Sequence, residues 1–479
     1  MKEVLFVNFG TELCKGVLEN VYNELQLKHC YVIDYFPTSY SDNIILKRAF
    51  DHYYITRGVY PDEIHKFPPL DASLVEEMAF VETITLKMMD RLYNESHSYQ
   101  ERKQMYLNHL RFWNHFLINQ KIDTIIMPNY PHEMYDYIIC QLCKKYKILF
   151  LNFATLPIIS NRVILMENYP EKNWGLINQY NEIKKNWKKY QANLKFSENF
   201  QVYWNSVIEQ NVKPPPFYNK KKSIDFIKIA KMISLMILKC IYLNKLFERI
   251  KSRVLNWRFK LKCLKSNNLL KKTYLDFCEV PNLNKPFIYI PLHYQPEMTT
   301  SPLGGIFTNQ ELMIYMIAEA VPNDTDIIIK EHPTQWLFLS RGRTLTFYNN
   351  LKKVKNIKFA HPDFSSFKLT SNAIAVATIT GSVGWEALAM EVPVLIFGDA
   401  HYRYLDCVHN IDSQNACNNA IKKIFEGQKP TIEQLKQYLL ALDNISISAT
   451  IDKWFLGRVK FDLEKNTARL SAAIIEKLR

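Results

Sequence analysis

Residues 380–388 read Thr380-Gly381-Ser382-Val383-Gly384-Trp385-Glu386-Ala387-Leu388, directly after the apolar run Ala373–Thr378 and at the head of a helical pattern, Val383–Met390. A strand that passes through a glycine turn into a helix is half of a βαβ unit, so this stretch points to a parallel α/β sheet. Glycine lets a backbone approach a ligand closely, and N–H groups at a helix start attract anions. Gly381, Ser382 and Gly384 are therefore candidates for cradling a nucleotide phosphate. Glu386 falls about one turn into the helix, where a carboxylate can accept hydrogen bonds from ribose hydroxyls. The competing reading is a tight strand-to-helix turn in which Glu386 only complements the helix dipole.

The same alternation extends on both sides. Phe287–Pro291, Asp326–Lys330, Ile357–Ala360 and Val394–Phe397 read as strands and Gln310–Ala320 as a helix. In the first half, Val4–Asn8, Tyr31–Asp34, Thr124–Met127 and Ile148–Phe153 read as strands, and Thr11–Leu27 and Met134–Tyr146 as helices. Helical spacing over roughly 70–120 predicts a cover for one sheet face. Pro214-Pro215-Pro216 fits neither a helix interior nor a central strand and marks a boundary. The expected organisation is a first Rossmann-like domain (1–212), a basic, partly amphipathic helical insertion (213–280), a second Rossmann-like domain (281–430) and a helical tail (431–479) that crosses back onto the first. Two such domains facing a cleft are the GT-B plan of many nucleotide-sugar glycosyltransferases.

Two further stretches end at that cleft. Ile327-Ile328-Ile329-Lys330-Glu331-His332-Pro333 places ionisable groups at the C-terminal end of a strand, where open α/β sheets bind ligands. If the strand geometry persists, Lys330 and His332 point to one side and can share a phosphate oxygen. Tyr289 to Glu297 runs from the preceding strand into a loop in which His293 and Glu297 are candidates for catalysis on a sugar. A structural turn is the alternative. From the first half, His132 and Glu133 follow one strand and Arg162 and Glu167 follow another, and these four are candidates for the acceptor side. Each alone reads sooner as a surface polar group than as a site residue.

Size and composition set the outer limits. At 479 residues with 48% hydrophobic residues, the chain is long enough for two cores and too apolar for wholesale disorder. Only twelve glycines occur, and six of them (304, 305, 342, 381, 384 and 398) fall in about a fifth of the chain, in the second domain. The net charge of +14 is local: residues 220–272 hold sixteen basic and two acidic residues, and the remainder balances at 45 of each. Apolar residues and Trp257 lace this segment, as in helices that lie in a lipid headgroup layer at roughly 1 kcal/mol per basic residue. An anionic membrane surface is the expected partner, with an insertion packed on the body as the alternative. No nucleic-acid-binding signature accompanies the charge. The interrupted apolar run Ile229–Leu243 is too short to span a bilayer.

Nine scattered cysteines and an opening, Met1 to Gly10, that reads as a strand and not a secretory leader make a reducing cytoplasm, at the inner face of the membrane, the expected compartment. Cys140-x-x-Cys143 has no second pair and lies in a helical pattern, which favours core packing over zinc or redox chemistry.

Ile329-Lys330-Glu331-His332-Pro333, together with Thr380 to Leu388, Val392-Pro393-Val394 and Gly398, resembles the bacterial capsule polysaccharide biosynthesis family, which includes the β-Kdo transferases of capsule lipid linkers. The resemblance covers roughly 285–410. It implies a GT-B-like glycosyltransferase that takes a nucleotide-activated sugar, CMP-Kdo in the known members, and passes it to a lipid-linked or growing glycan. It implies no metal and no other cofactor, with Lys330, His332 and the amides around Ser382 taking the phosphate charge. Kdo-transferring members tend to carry a Gln-x-Asp sequence after the first strand of this domain, where this chain has Gln295-Pro296-Glu297. Two other activities fit the same sequence: a CDP-polyol-dependent polymer phosphotransferase, and a non-catalytic glycan- or nucleotide-binding subunit of an export assembly.

Overall fold

A computed structural model of the chain describes residues 2–35, 40–92, 97–159, 161–205, 263–336, 342–451 and 462–479. Most of the basic segment therefore lies outside the described residues, as does the triple proline. Among the described residues the short apolar runs form twelve strands in two six-stranded sheets. In the first, β1 (Val4–Val7), β2 (Cys30–Asp34), β3 (Leu46–Asp51), β4 (Thr124–Met127), β5 (Leu149–Thr155) and β6 (Val163–Glu167) lie in the order β3-β2-β1-β4-β5-β6. In the second, β7 (Phe287–Pro291), β8 (Asp326–Lys330), β9 (Ile357–Ala360), β10 (Ala375–Thr378), β11 (Val394–Ile396) and β12 (Val408–Asn410) lie in the order β12-β11-β10-β7-β8-β9. Read from the other edge, this is the order of the first sheet. Both orders are that of a Rossmann fold, with the chain reversing direction beside the first strand of each sheet. The protein is thus α/β with twin Rossmann-like domains.

Three strands escape the sequence reading. β3 and β12 lie at sheet edges, where one face is solvated and the apolar run is broken. β6 pairs antiparallel with β5, Thr155 opposite Val163 and Leu151 opposite Glu167. The central strands β1, β4, β7, β8 and β10, fully or almost fully buried, read as the continuous apolar runs expected of strands covered on both faces. Cys140 and Cys143 are buried thiols in the helix Tyr135–Tyr146, consistent with core packing.

Two segments depart from the expected division. A helix at 263–277 sends Leu270 and Tyr274 into the core of the second domain, so that domain begins within the segment assigned to the insertion. The helices Trp174–Lys185, Trp187–Ala192 and Glu198–Tyr203 pack with second-domain residues in one shared core, where the Trp385 Nε1–H donates to Tyr203 Oη at 2.7 Å. The tail runs as two helices. Ile432–Ile445, opened by a capping box of Thr431 and Gln434, packs on Trp174–Lys185, and Leu463–Leu478 returns to the first domain against Lys15–Glu24. No helix among the described residues is long and apolar enough to cross a membrane.

The returning helix buries Leu470, Ile474 and Leu478 against Val17, Leu18 and Val21. Ile474→Ala removes buried methyl groups from a fully packed seam, so it should cost about 2–5 kcal/mol. The urea midpoint measures it, and a midpoint equal to wild type would show that the tail does not close the first domain.

Four buried histidines make stability depend on pH. Burial pushes His52 down to about 4 and His109, His293 and His401 to about 3, from an ordinary value of 6.5. Below pH 6.5 the unfolded chain takes up protons that the folded chain refuses, so the stability these groups contribute above that pH is lost on acidification. Between pH 7.5 and 6.0 the loss should be on the order of 3 kcal/mol, read from urea unfolding at the two values.

Candidate functional site

The strand order puts β7 between β8 and β10, so the loops that leave the C-terminal ends of these three strands converge. The histidine-proline corner after β8 and the glycine corner after β10 thus flank the loop after β7. His293 ties them together. Its Nε2 receives the backbone N–H groups of Ile379 at 3.3 Å and Thr380 at 3.4 Å and lies 3.0 Å from Thr378 Oγ1. An imidazole nitrogen that accepts N–H donors is unprotonated, which agrees with the depressed pKa. The ring therefore clamps the glycine turn from behind. This differs from the catalytic position expected of His293, because the nitrogen nearest the turn is already occupied.

The glycines of the turn are required by packing. A Cβ at Gly381 would stand 2.7 Å from Thr378 Oγ1, and one at Gly384 would stand 2.2 Å from the Tyr402 hydroxyl, which itself donates to Gly381 O at 2.6 Å. Gly381 caps the helix Ser382–Ala389, and Ser382 is exposed at its start. Glu386 lies further in, in the first turns of the helix, close enough to Tyr402 and Tyr203 to add to the burial that raises both phenols.

Behind β8 the groups are held by their own neighbours. Lys330 Nζ donates to Phe364 O and to Ser366 Oγ, both at 2.6 Å, so the ammonium is turned toward the start of the helix Ser366–Asn372, after β9. His332 Nδ1 accepts from Thr334 Oγ1 at 2.8 Å, which leaves the proton of the neutral ring on Nε2. Desolvation lowers its pKa and keeps it neutral. Between them, Glu331 is fully buried. Arg343 Nε donates to Glu331 Oε2 at 2.8 Å and Nη2 to Oε1 at 3.2 Å, and the Tyr348 hydroxyl donates to Oε2 at 2.7 Å. Arg343 also donates to Gln295 Oε1 and, at 2.8 Å, to His293 O. Arg343 thereby joins the loop after β7 to the loop after β8.

Glu297 faces the other domain. Its side chain is reachable by solvent yet surrounded by protein, as in a cleft. That desolvation raises its pKa against the pull of a Thr299 hydrogen bond and of Arg91. Arg91 ends the helix Ala79–Leu92 of the first domain, donates to His132 O, and acts on Glu133, Asp136 and Glu297 alike. Asp136 accepts from the backbone of His132 at 2.8 Å and Glu133 at 2.7 Å, and burial lifts it to about 6. His132 and Glu133 thus meet Glu297 through Arg91. Arg91 and Asp136 carried no signal in the sequence, since one is a helical residue among many and the other falls in an apolar helix.

Arg162 and Glu167 do not join this group. Arg162 donates to Ser197 Oγ, lies 3.4 Å from Ser446 O and pairs with Asp443, holding the tail. Glu167 sits at the end of antiparallel β6, beside Leu151, and therefore at the opposite edge of the sheet from the ends of β4 and β5. It pairs there with Lys477 at 2.7 Å. The reversed direction of β6 carries Glu167 away from the expected acceptor side, whereas Arg162 stands at the C-terminal end of β5 and is taken up there by Ser197 and Asp443.

Among the described residues of the first domain, the acid that ends β2 is closed off. In a dinucleotide-binding Rossmann domain an acidic residue after the second strand takes the ribose hydroxyls. Here Asp34 ends β2 but is 1% exposed, accepts from Tyr35 N at 3.0 Å and from the Tyr40 hydroxyl, and fills the space a side chain at Gly10 would need.

Residues 283–419 match the model of the family described as "Capsule polysaccharide biosynthesis protein". This stretch of the second domain is similar to that family. It holds every residue of the converging strand ends, from His293 and Glu297 through Lys330 and Arg343 to Glu386. Arg91, His132 and Glu133 lie outside the matched stretch. No curated protein matches the chain. Among solved structures, the UDP-GlcNAc 2-epimerase of Methanocaldococcus jannaschii is 13% identical over 89% of this chain and 92% of its own, with a TM-score of 0.25. The Thermosulfurimonas dismutans KpsC β-Kdo 2,4 transferase is 10% identical over 73% and 87%, with a TM-score of 0.31. The fold assignment rests on strand order and draws nothing from these two.

Within the second domain, the Glu331–Arg343 pair should be the costliest to break. Arg343→Met strands a buried carboxylate, and stability should fall by about 3–5 kcal/mol; adding Glu331→Leu should restore part of it. Guanidinium unfolding of the two variants measures both steps, and an unchanged midpoint for Arg343→Met would remove the pair as the anchor of these loops.

Proposed function

We propose that the protein is a GT-B-type glycosyltransferase of capsular polysaccharide biosynthesis that transfers a sugar from a nucleotide-activated donor to a lipid-linked or growing glycan. The observation that carries this reading is the meeting of two walls. The strand ends of the capsule-family domain converge on an exposed helix start, and Glu297 on one of their loops faces Arg91, His132 and Glu133 of the other domain. The donor nucleotide takes the capsule-family wall, with phosphate at the Gly381–Ser382 turn and His332 Nε2–H, and ribose toward Glu386. Lys330, turned away by its own partners, contributes field and not contact. The closed Asp34 corner favours the acceptor on the first domain.

Sugar transfer passes through an oxocarbenium-like transition state with a departing phosphate. Preformed donors at the phosphate stabilise the charge that develops there, and a carboxylate must deprotonate the acceptor hydroxyl or attack the anomeric carbon. Glu297 supplies that carboxylate, and the Arg91 charge favours its ionised form against the desolvation. CMP-Kdo is the donor this reading tests first. The basic segment 220–272 would hold the enzyme at an anionic membrane surface, with the active cleft facing the lipid-linked acceptor.

Glu297→Gln should lower transfer by about 10²–10⁴-fold while leaving nucleotide affinity unchanged. A bound ligand stabilises the native state in proportion to its affinity, so thermal-shift measurements with CMP, CDP, UDP and GDP report the donor class. No shift with any of the four, together with full turnover of the Glu297 variant, would remove the proposal.

A further inference from the structure

The C-terminal edge of the first sheet carries an aromatic cluster that the donor chemistry does not use. Tyr35 follows β2, and His52, Tyr53 and Tyr54 open the short helix His52–Ile55 directly after β3. Since β2 and β3 run parallel, these residues share the sheet edge at which α/β domains bind ligands. Tyr35, Tyr53 and Tyr54 are 52%, 53% and 53% exposed, although a tyrosine ring ordinarily lies at least half buried in a core. They are also ordered by contacts. The Tyr35 ring lies over His52 with centroids 3.9 Å apart, and Tyr53 stands edge-on to Tyr54 at 5.4 Å with the Arg57 guanidinium over its face at 3.6 Å.

The cluster is continuous with the cleft. His52 Nδ1 lies 2.9 Å from the Tyr135 hydroxyl, at the start of the helix that follows β4, and Tyr35 feels the charges of Glu133 and Asp136. A chain of rings thus runs outward from the acceptor-side carboxylates along the sheet edge. A pyranose ring has an apolar face of C–H bonds and a rim of hydroxyls. The partly negative face of an aromatic ring suits the first, and phenol hydroxyls and a guanidinium suit the second. Rings set next to polar groups, and not an unbroken apolar patch, favour sugar over lipid tails.

We infer that Tyr35, Tyr53 and Tyr54, with His52 beneath and Arg57 beside them, form a glycan subsite on which sugar residues of the acceptor chain stack beyond the point of transfer. The inference rests on the proposed function for the direction of the acceptor, but its test requires no transfer. Saturation-transfer difference NMR on the full chain, with neutral hexasaccharides of the cello-, malto-, chito- and xylo-series as probes, should give ring-proton signals for at least one series. Tyr54→Ala and Tyr35→Ala should weaken that binding about tenfold, while Tyr54→Phe retains it, because the ring face and not the hydroxyl makes the contact.

Nucleotide-induced thermal shifts should stay at the wild-type value in all three variants, which also shows that they fold. If no series binds, or if binding survives Tyr54→Ala and Tyr35→Ala together, the subsite is overturned while the donor site stands. Binding of phosphatidylglycerol vesicles that is lost in the same variants would assign the cluster to membrane and likewise overturn it. Glycan binding without any nucleotide shift, together with full turnover of Glu297→Gln, would instead remove the proposed function and leave the subsite standing.

Discussion

The buried pair between Glu331 and Arg343 governs the geometry of the second domain's binding edge. Their side chains are 0% and 1% exposed, and taking both charges out of water carries a desolvation penalty that only near-ideal geometry offsets. The geometry is supplied by two parallel N–H···O contacts, the Tyr348 hydroxyl, and the Glu331 N–H, which donates to the Tyr274 hydroxyl at 2.8 Å. Since Arg343 also reaches Gln295 and His293 O, one guanidinium sets where the loops after β7 and β8 stand relative to each other. His293 then passes that position to the turn after β10. A charge network beneath the site thus substitutes for the rigidity that loops otherwise lack.

The cleft has a different electrostatic character. Arg91 faces several carboxylates whose surroundings favour protonation, so the charge state of Glu133, Asp136 and Glu297 is a balance between desolvation and one cation. Burial lifts Asp136 of this cluster to about 6, within reach of the range in which general acid–base chemistry works. For Glu297 the balance exists only with the domains together, because the cation comes from one and Glu297 from the other. The loop that carries Glu297 is fastened on both sides: Met298 and Leu303 enter the first domain's core, and Thr380 Oγ1 donates to Thr299 O at 2.7 Å.

Long parts of this architecture were legible from the chain. Thr124–Met127, Phe287–Pro291, Asp326–Lys330, Ile357–Ala360 and the helix Gln310–Ala320 stand where the apolar periodicity put them, because strands covered on both faces admit little but branched apolar residues. The glycine turn and the Lys-Glu-His-Pro corner were found for the same reason: each interrupts such a run abruptly. Edge strands β3 and β12 were not, since half of each faces solvent. The roles of Arg91 and Arg343 were invisible because a partner 41 or 50 positions away leaves no local trace, and Asp136 was hidden within an apolar helical pattern.

By itself, then, the order of residues determined two parallel α/β domains, the boundary signal between them, a local basic segment, and the three strand-end motifs of the second domain. These follow from periodicity and from glycine and proline, which act over a few residues. Tertiary structure alone decided which ionisable groups share a space: that His293 clamps a turn, that Glu167 meets the tail because β6 runs backwards, that Arg162 is taken up by Ser197 and Asp443, and that Glu297 meets Arg91. Charge interactions depend on distance and on exclusion of water, and both are created only when the sheets and their loops are folded against one another.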